Sequence, residues 1–150
     1  MPSNSFAIRL LKILKDHKAL MVYVPMIIYW LLVSIVNAMP PGALSRITIN
    51  DKVGHCLAYF ILTGFLCITN MVQDKSRIIK THPFITAFLF AALYGMINEV
   101  IQLYVPGRSC DFQDWLADVA GGFLAVLILY PVFYKAIRSF KESMLSAKQS

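Results

Sequence analysis

Residues 98–115 read NEVIQLYVPGRSCDFQDW. The stretch sets Glu99, Arg108, Asp111 and Asp114 where two long apolar runs meet, one ending inside it and one starting at its last residue. An ionised side chain at the centre of a bilayer costs at least a few kcal/mol on insertion scales, so what surrounds these groups decides how the chain folds. Pro106-Gly107 is turn punctuation and splits the stretch into the end of one apolar segment and the start of the next.

A membrane-crossing helix needs about 20 mostly apolar residues. Four segments meet that length: 19–39 with no charge, 53–72 with only His55 as a possible one, 83–105 with only Glu99, and 115–134 with only Asp118. The expected fold is therefore all-α, a polytopic membrane helical bundle with four transmembrane helices. Short connections make successive spans antiparallel neighbours. The composition agrees, with 58% hydrophobic and 15% charged residues and a mean hydropathy of +0.64, where a soluble domain carries about 25% charged residues. The expected organisation is a basic, amphipathic N-terminal segment over 1–18, a four-helix membrane domain over 19–134, and a basic tail over 135–150. There is no internal repeat. The net charge of +6 does not indicate a nucleic-acid partner, because the cations fall at helix ends and tails with no nucleic-acid-binding motif. The partner implied is the lipid bilayer; the oligomeric state is left open.

The first run also admits a signal-peptide reading, with Val36-Asn37-Ala38 as a cleavage site. Its apolar length exceeds the roughly 7–15 residues of a cleaved signal, which favours a retained helix. Residues 5–18, SFAIRLLKILKDHK, fit either a short amphipathic helix on the bilayer surface or a plain basic tail.

Orientation follows from Lys and Arg near the spans. Arg9, Lys12, Lys15, Lys18, Lys75, Arg77, Lys80, Lys135, Arg138, Lys141 and Lys148 fall on one side, and only Arg46, Lys52 and Arg108 on the other. Both termini are thus expected in the cytoplasm, and the loops after the first and third spans outside it. Five of the eight acids, Asp51, Glu99, Asp111, Asp114 and Asp118, then lie on or just beneath the outer face with His55. Glu99 is six residues before Val105, roughly 9 Å inside the expected helix end.

Small residues continue these stripes. Ala87, Ala91 and Gly95 lead to Glu99 and Gln102, while Asp114 and Asp118 lead to Gly121 and Ala125. Small residues at this spacing let membrane helices approach closely, so spans three and four are expected to form a tight hairpin. Glu99, Gln102, Asp114 and Asp118 would line its outer end. Gly54 and Ala58 flank His55 and make span two a third wall. Each residue also has a plainer reading. Asp111 and Asp114 could cap or charge a helix start. Asp51 could cap span two, with Lys52 snorkelling to the interface. Arg108 could be a solvated loop charge or a headgroup contact. Tyr59, Tyr104 and Trp115 suit an interfacial aromatic belt. Glu99, internal to its span, can cap nothing. A Cys56–Cys110 disulfide is open if both thiols face an oxidising compartment.

Two stretches, DKVGHCLAYFILTGF (51–65) and NEVIQLYVPGRSCDFQDWLADVAGG (98–122), resemble the VanZ-like family of bacterial membrane proteins. The first is similar to the family's D-K-x-x-H-x-x-x-[YF] motif. The second is similar to its E-x-x-Q, P-G-R, D-x-x-D and small-residue pattern. The resemblance implies site roles for Asp51, Lys52, His55, Glu99, Gln102, Arg108, Asp111, Asp114 and Gly121. Asp118 stands where the family commonly has Asn. The family takes its name from a glycopeptide-resistance cluster whose VanZ member lowers susceptibility to teicoplanin, so the resemblance implies a cell-envelope role at the bacterial cytoplasmic membrane.

Three functions are consistent with these residues. In the leading one, the polar pocket binds a lipid headgroup, a lipid-linked precursor or a partner protein, with Arg108 and Lys52 meeting phosphate. In the second, a membrane-embedded enzyme modifies an envelope lipid or glycan with His55, Glu99 and Asp114 as acid and base. The same three residues could hold a divalent cation, although no sequential metal signature such as H-E-x-x-H is present and no cofactor is indicated. In the third, protons or small ions pass through the Glu99–Asp118 region.

Overall fold

The protein is seen in a computed structural model that describes residues 6–40 and 50–149. Arg46 and the Pro41-Gly42 turn lie outside the described residues. Helices make up the described fold and no strand occurs among the described residues. Helix α1 spans Phe6–Asp16 and is amphipathic, one of the two readings the sequence left open. Its Leu10 and Leu11 pack on a core of Cys67, Met71, Phe84, Ala87 and Phe133, while Arg9, Lys12 and Lys15 point to solvent.

The first span opens with a π-helical turn, Ala19–Tyr23, and continues as α2, Val24–Asn37. Pro25 explains the turn. It has no N–H for the carbonyl four residues back, and its ring crowds that carbonyl; widening the preceding turn relieves the conflict. Helix α3 spans Asp51–Val72, α4 spans Arg77–Thr81, and α5 spans Pro83–Gln102 with proline in its first turn, where a missing N–H costs nothing. Helix α6 runs Phe112–Gln149 through Pro131, so the segment expected to be a separate tail continues the last span.

Four of these helical stretches are long and apolar enough to cross a membrane: Ala19–Asn37, Asp51–Val72, Pro83–Gln102 and Phe112–Tyr134. The chain is an all-α multi-pass membrane bundle. Four of the eight span ends fall where expected and the other four differ by two or three residues; the two shifted starts, of α3 and α6, are set by the capping side chains of Asn50 and Asp111 rather than by apolar content.

The packing order departs from the expected hairpin. Helix α3 is the central element. Its most extensive contact is with α6, followed by α5 with α6 and α3 with α5. Of the apolar stretch of α3, 44% is buried inside the protein, against 11% for the first span. The cause is Gly121, where a Cβ would strike the carbonyl oxygen of Cys56 on α3. The small stripe of α6 therefore serves α3 more than α5. Gly54 of α3 has nothing within 4 Å of a Cβ position and takes no part in close approach. Around the middle, Val33, Tyr59, Leu62 and Ala91 form a second core. There Tyr29 donates to the Ala58 carbonyl at 3.1 Å, and Ser34 and Tyr94 hydroxyls lie 2.6 Å apart.

Ion pairs define the two ends. Asp74, between α3 and α4, pairs with Lys18 at 2.7 Å, with Lys15 at 3.6 Å and with Lys80. At the opposite end Arg108 Nε donates to the Met39 carbonyl at 3.0 Å. The N-terminal segment and the second connection thus share one face of the bundle, and the end of the first span and the third connection share the other.

Candidate functional site

At the Arg108 end, three helix termini converge: the start of α3, the end of α5 and the start of α6. Local capping fixes their registers. Asn50 caps α3, its side chain accepting the Lys52 N–H at 3.1 Å. Asp51 is therefore not the cap; it sits exposed in the first turn. Asp111 caps α6, its Oδ1 accepting the Gln113 N–H at 2.8 Å. That bond starts α6 at Phe112 and leaves Asp114 in the first turn rather than at the cap. Gly107, with φ of 80°, turns the chain between α5 and α6, a conformation that favours glycine.

An outer layer of charge lies over these termini. Lys52 Nζ donates to Asp114 Oδ1 at 2.8 Å and to Asp111 Oδ2 at 3.0 Å. Lys52 was expected to snorkel to the interface or to meet phosphate; instead its charge is shared by two carboxylates of α6 and the loop before it. The Gln113 N–H, followed by Lys52, holds the Asp111 carboxyl below its usual range. Arg108 was expected as a loop charge or headgroup contact, and the hydrogen bond of its Nε to Met39 ties the third connection to the end of the first span.

Beneath lies a buried layer. His55 Nδ1 and Asp118 Oδ1 are 2.9 Å apart, and both residues are buried. Asp118 is drawn in by Gly95: a Cβ at Gly95 would stand 2.8 Å from Asp118 Oδ2. Glu99 is only 3% exposed, and its Oε2 accepts the Asp111 N–H at 2.9 Å. Asn98 donates to the Tyr59 hydroxyl at 2.8 Å. Three buried polar atoms in this layer have no protein partner: Glu99 Oε1, Gln102 Nε2 and Asp118 Oδ2. A buried polar atom without a partner costs about 1–3 kcal/mol, and native proteins carry few of them. Three more occur among the described residues, at Asn37, Thr63 and Thr69, but only in this layer do two carboxylate oxygens and an amide nitrogen fall together, which marks it as a place where something else supplies the bonds.

Two groups of potential cation ligands occur among the described residues, and both include His55. His55, Glu99 and Asp118 form the buried one; Asp51, His55 and Asp114 form the outer one, and in each the ligand atoms lie within 4.8 Å of one another. The expected trio of His55, Glu99 and Asp114 is split between the two groups: Glu99 lies with His55 in the buried one and Asp114 with His55 in the outer one. Asp114 is also engaged by Lys52, and Asp118 joins His55 in the buried group.

Tyr59, expected in the interfacial belt, is 1% exposed and part of the site. It follows His55 by one turn on the buried face of the central helix, whose exposed side at that level carries Leu57 and Ile61 instead. Trp115 also leaves the belt reading, its Nε1 donating to the Ala92 carbonyl at 3.0 Å. Tyr104, 84% exposed, fits it. Asn98 and Asn50 were not anticipated. Asn98 precedes Gln102 by four residues on the face that carries Glu99, so helical spacing alone could have placed it there. Cys56 and Cys110 are both free thiols, so the disulfide left open by the sequence does not form.

A family model described as VanZ/LLP1 matches residues 18–135, a range that contains all four spans. An uncharacterized protein of the fission yeast Schizosaccharomyces pombe is 28% identical over 111 residues, which cover 74% of this chain and 62% of that protein. The similarity thus spans less than two thirds of the relative's length, and it carries the likeness beyond bacteria. No solved structure matches.

Proposed function

Because the chain belongs to the VanZ/LLP1 family, we propose that it is a membrane protein whose polar recess, at the end where α5 meets α6, takes up a lipid headgroup or lipid-linked precursor. The observation that carries this reading is the set of three unpartnered buried atoms, Glu99 Oε1, Gln102 Nε2 and Asp118 Oδ2. They sit at the ends of spanning helices, the depth at which a headgroup is available. The asymmetry of Lys and Arg supports placing the recess on the extracytoplasmic side. In a bacterial host that is the outer leaflet of the cytoplasmic membrane, where altered handling of a headgroup or precursor would bear on susceptibility to glycopeptides such as teicoplanin.

The recess selects its ligand by charge. Asp51, Glu99, Asp111, Asp114 and Asp118 outnumber Lys52 and Arg108, and Lys52 is already paired. A bare phosphate would meet net repulsion there. A headgroup that enters has to bring positive charge, as an ammonium or as a bound metal ion.

The test is lipid retention. Full-length protein in nanodiscs, examined by native mass spectrometry, is expected to hold one headgroup class through detergent exchange. Glu99→Gln and Gln102→Leu are expected to lose it without losing membrane abundance. Identical lipid profiles for wild type and both variants would sink the reading. Orientation has a built-in reporter: Cys110 is a free, exposed thiol in the α5–α6 connection. A membrane-impermeant thiol reagent is expected to label it in intact cells.

One observation favours a second, enzymatic reading. Asp118 engages Nδ1 of His55, which fixes the ring and leaves Nε2 for proton transfer. In that reading His55 is the general base, Asp118 orients it in place of Asp114, and Glu99 is the acid. His55→Gln would then abolish turnover of an envelope lipid extract while sparing lipid retention.

A further inference from the structure

We propose that His55, Glu99 and Asp118 bind one divalent transition-metal ion in the buried layer of the recess. The inference deepens the ligand-binding reading above, since the ion would supply the positive charge that an acidic recess needs to receive a phosphate-bearing headgroup.

The three residues come from three different helices, α3, α5 and α6, and one ligand atom of each lies within 4.8 Å of the others. Packing fixes that convergence. Gly121 seats α6 against the α3 backbone at Cys56, and Gly95 admits Asp118 against α5. His55 Nδ1 and Asp118 Oδ1, 2.9 Å apart, already have the spacing of neighbouring ligands on an ion with bonds of roughly 2.0–2.2 Å. Glu99 offers the remaining carboxylate, its Oε2 on the Asp111 N–H and its Oε1 without a partner.

The unpartnered oxygens point independently to a cation. Glu99 Oε1 and Asp118 Oδ2 are buried acceptors without donors, on residues 3% and 1% exposed. The cation closest to hand does not serve them, because the ion pairs of Lys52 go to Asp111 and Asp114. Two carboxylates and a neutral imidazole carry a charge that one divalent ion cancels. Paired charges of that kind are tolerated at low dielectric where a lone carboxylate is not. The donor set chooses among metals. Imidazole with carboxylates suits Zn2+ or Mn2+, whereas Ca2+ and Mg2+ prefer oxygen ligands throughout. The outer group, Asp51, His55 and Asp114, competes for the same imidazole but is weaker, since Asp114 is engaged by Lys52 and Asp51 is exposed. Three protein ligands leave coordination positions open, to which a phosphate oxygen or a water could bind.

The experiment uses full-length protein in detergent, stripped with chelator and then given Zn2+, Mn2+ or Co2+ alone. Calorimetry and elemental analysis are expected to give one ion per chain. Glu99→Gln and Asp118→Asn are each expected to weaken binding by more than the roughly tenfold that loss of an outer-shell contact costs, and Asp74→Asn, at the far end, is not. No stoichiometric uptake by wild type would overturn the proposal. So would unchanged affinity in both variants, or loss on Asp51→Asn with none on Glu99→Gln, which would move the ion to the outer group. Where a variant yields too little folded protein, the Co2+ spectrum of wild type decides. Saturable visible bands at one equivalent support the site, and their absence overturns it. Lipid retention is measured on the same stripped sample. Lipid held by protein that takes up no metal would overturn this inference and leave the headgroup reading standing. Metal taken up by protein that holds no lipid would support the ion site and count against that reading.

Discussion

At one end of the bundle three lysines converge on the single carboxylate of Asp74, which is 44% exposed. At the other lie five carboxylates and a histidine, of which only Asp111 and Asp114 pair with Lys52, and four of the six groups, Glu99, Asp114, Asp118 and His55, are buried. Water can solvate whatever charge the Asp74 cluster leaves over, so that cluster works as a fastener, holding α1 and the second connection together. The buried layer of the acidic end has no such recourse. Its partners must come from the protein or from a ligand, and three of its buried atoms have neither kind within the chain. Charge of similar density thus means attachment where water reaches it and a binding site where water does not.

The largest expected effect attacks the packing that makes the acidic end dry. Gly121→Val would push a branched side chain into the backbone at Cys56 and Phe60, and backbone cannot yield as a flexible side chain can. Overpacking of this kind costs about 3 kcal/mol or more, read as loss of thermal stability and membrane abundance. Gly54→Ala, where nothing lies within 4 Å, is expected to be neutral or slightly stabilising through helix propensity. Equal losses at both glycines would remove the close α3–α6 approach from the account.

Next in size is the lysine at the acidic end. Lys52→Met leaves Asp114 buried without its cation, whereas Lys18→Met leaves Asp74 with Lys15 and Lys80. Lys52→Met is expected to lower the melting temperature more, and Asp114→Asn in the same chain to restore part of the loss. Matching shifts for the two lysines would mean that burial does not separate the ends.

How far the sequence carried this account depends on whether a property is local. Span number and approximate limits were legible because apolar length is local: 83 and 19 begin spans as expected. The helix over 6–16 was only half legible, since its sequence fits an amphipathic helix and a basic tail alike. Which helix is central was not. Small residues line α5 and α6 alike, and nothing in the stripe containing Gly121 says whether it faces α3 or α5. The acids at the outer end were visible as a group, but their partners depend on the rotation of three helices. Lys52 could not be assigned to Asp111 and Asp114, nor Asp118 to His55, from spacing. Tyr59 shows the limit well. An aromatic residue near a span end reads equally as belt or core until the burial of its helix is known.

Tyr59 also gives the third prediction. Tyr59→Phe keeps the ring in the core but removes the hydroxyl that accepts from Asn98. Interhelical hydrogen bonds in membrane proteins average about 0.6 kcal/mol and reach about 1.7, so a loss of about 1 kcal/mol is expected in a thermal or denaturant melt. Asn98→Leu should cost a comparable amount, and the double variant little more than either alone, because both remove the same bond. Full additivity would show that Tyr59 stabilises by packing alone and that the polar pair does not help define the recess.

The smallest effect belongs to the exposed end. Hydrogen bonds from Lys18 and Lys80 hold the Asp74 carboxyl well below the usual carboxylate range, and Asp74 in turn raises Lys18. A carboxylate depressed in the folded state stabilises at every pH above its unfolded value and loses that stabilisation as pH falls through the folded one. Asp74→Asn should therefore lower the melting temperature by no more than about 2 °C, given the weakness of exposed ion pairs and the size of the chain. The gap from wild type should stay constant from pH 8 to 5 and close only below the ordinary value of 3.8. High salt should shrink it at neutral pH, because an ion pair that water reaches is screened. A gap that ignores salt, or that closes between pH 5 and 7, would mean that Asp74 is sheltered like the acids at the far end, and the contrast between fastener and site would lose one of its two poles.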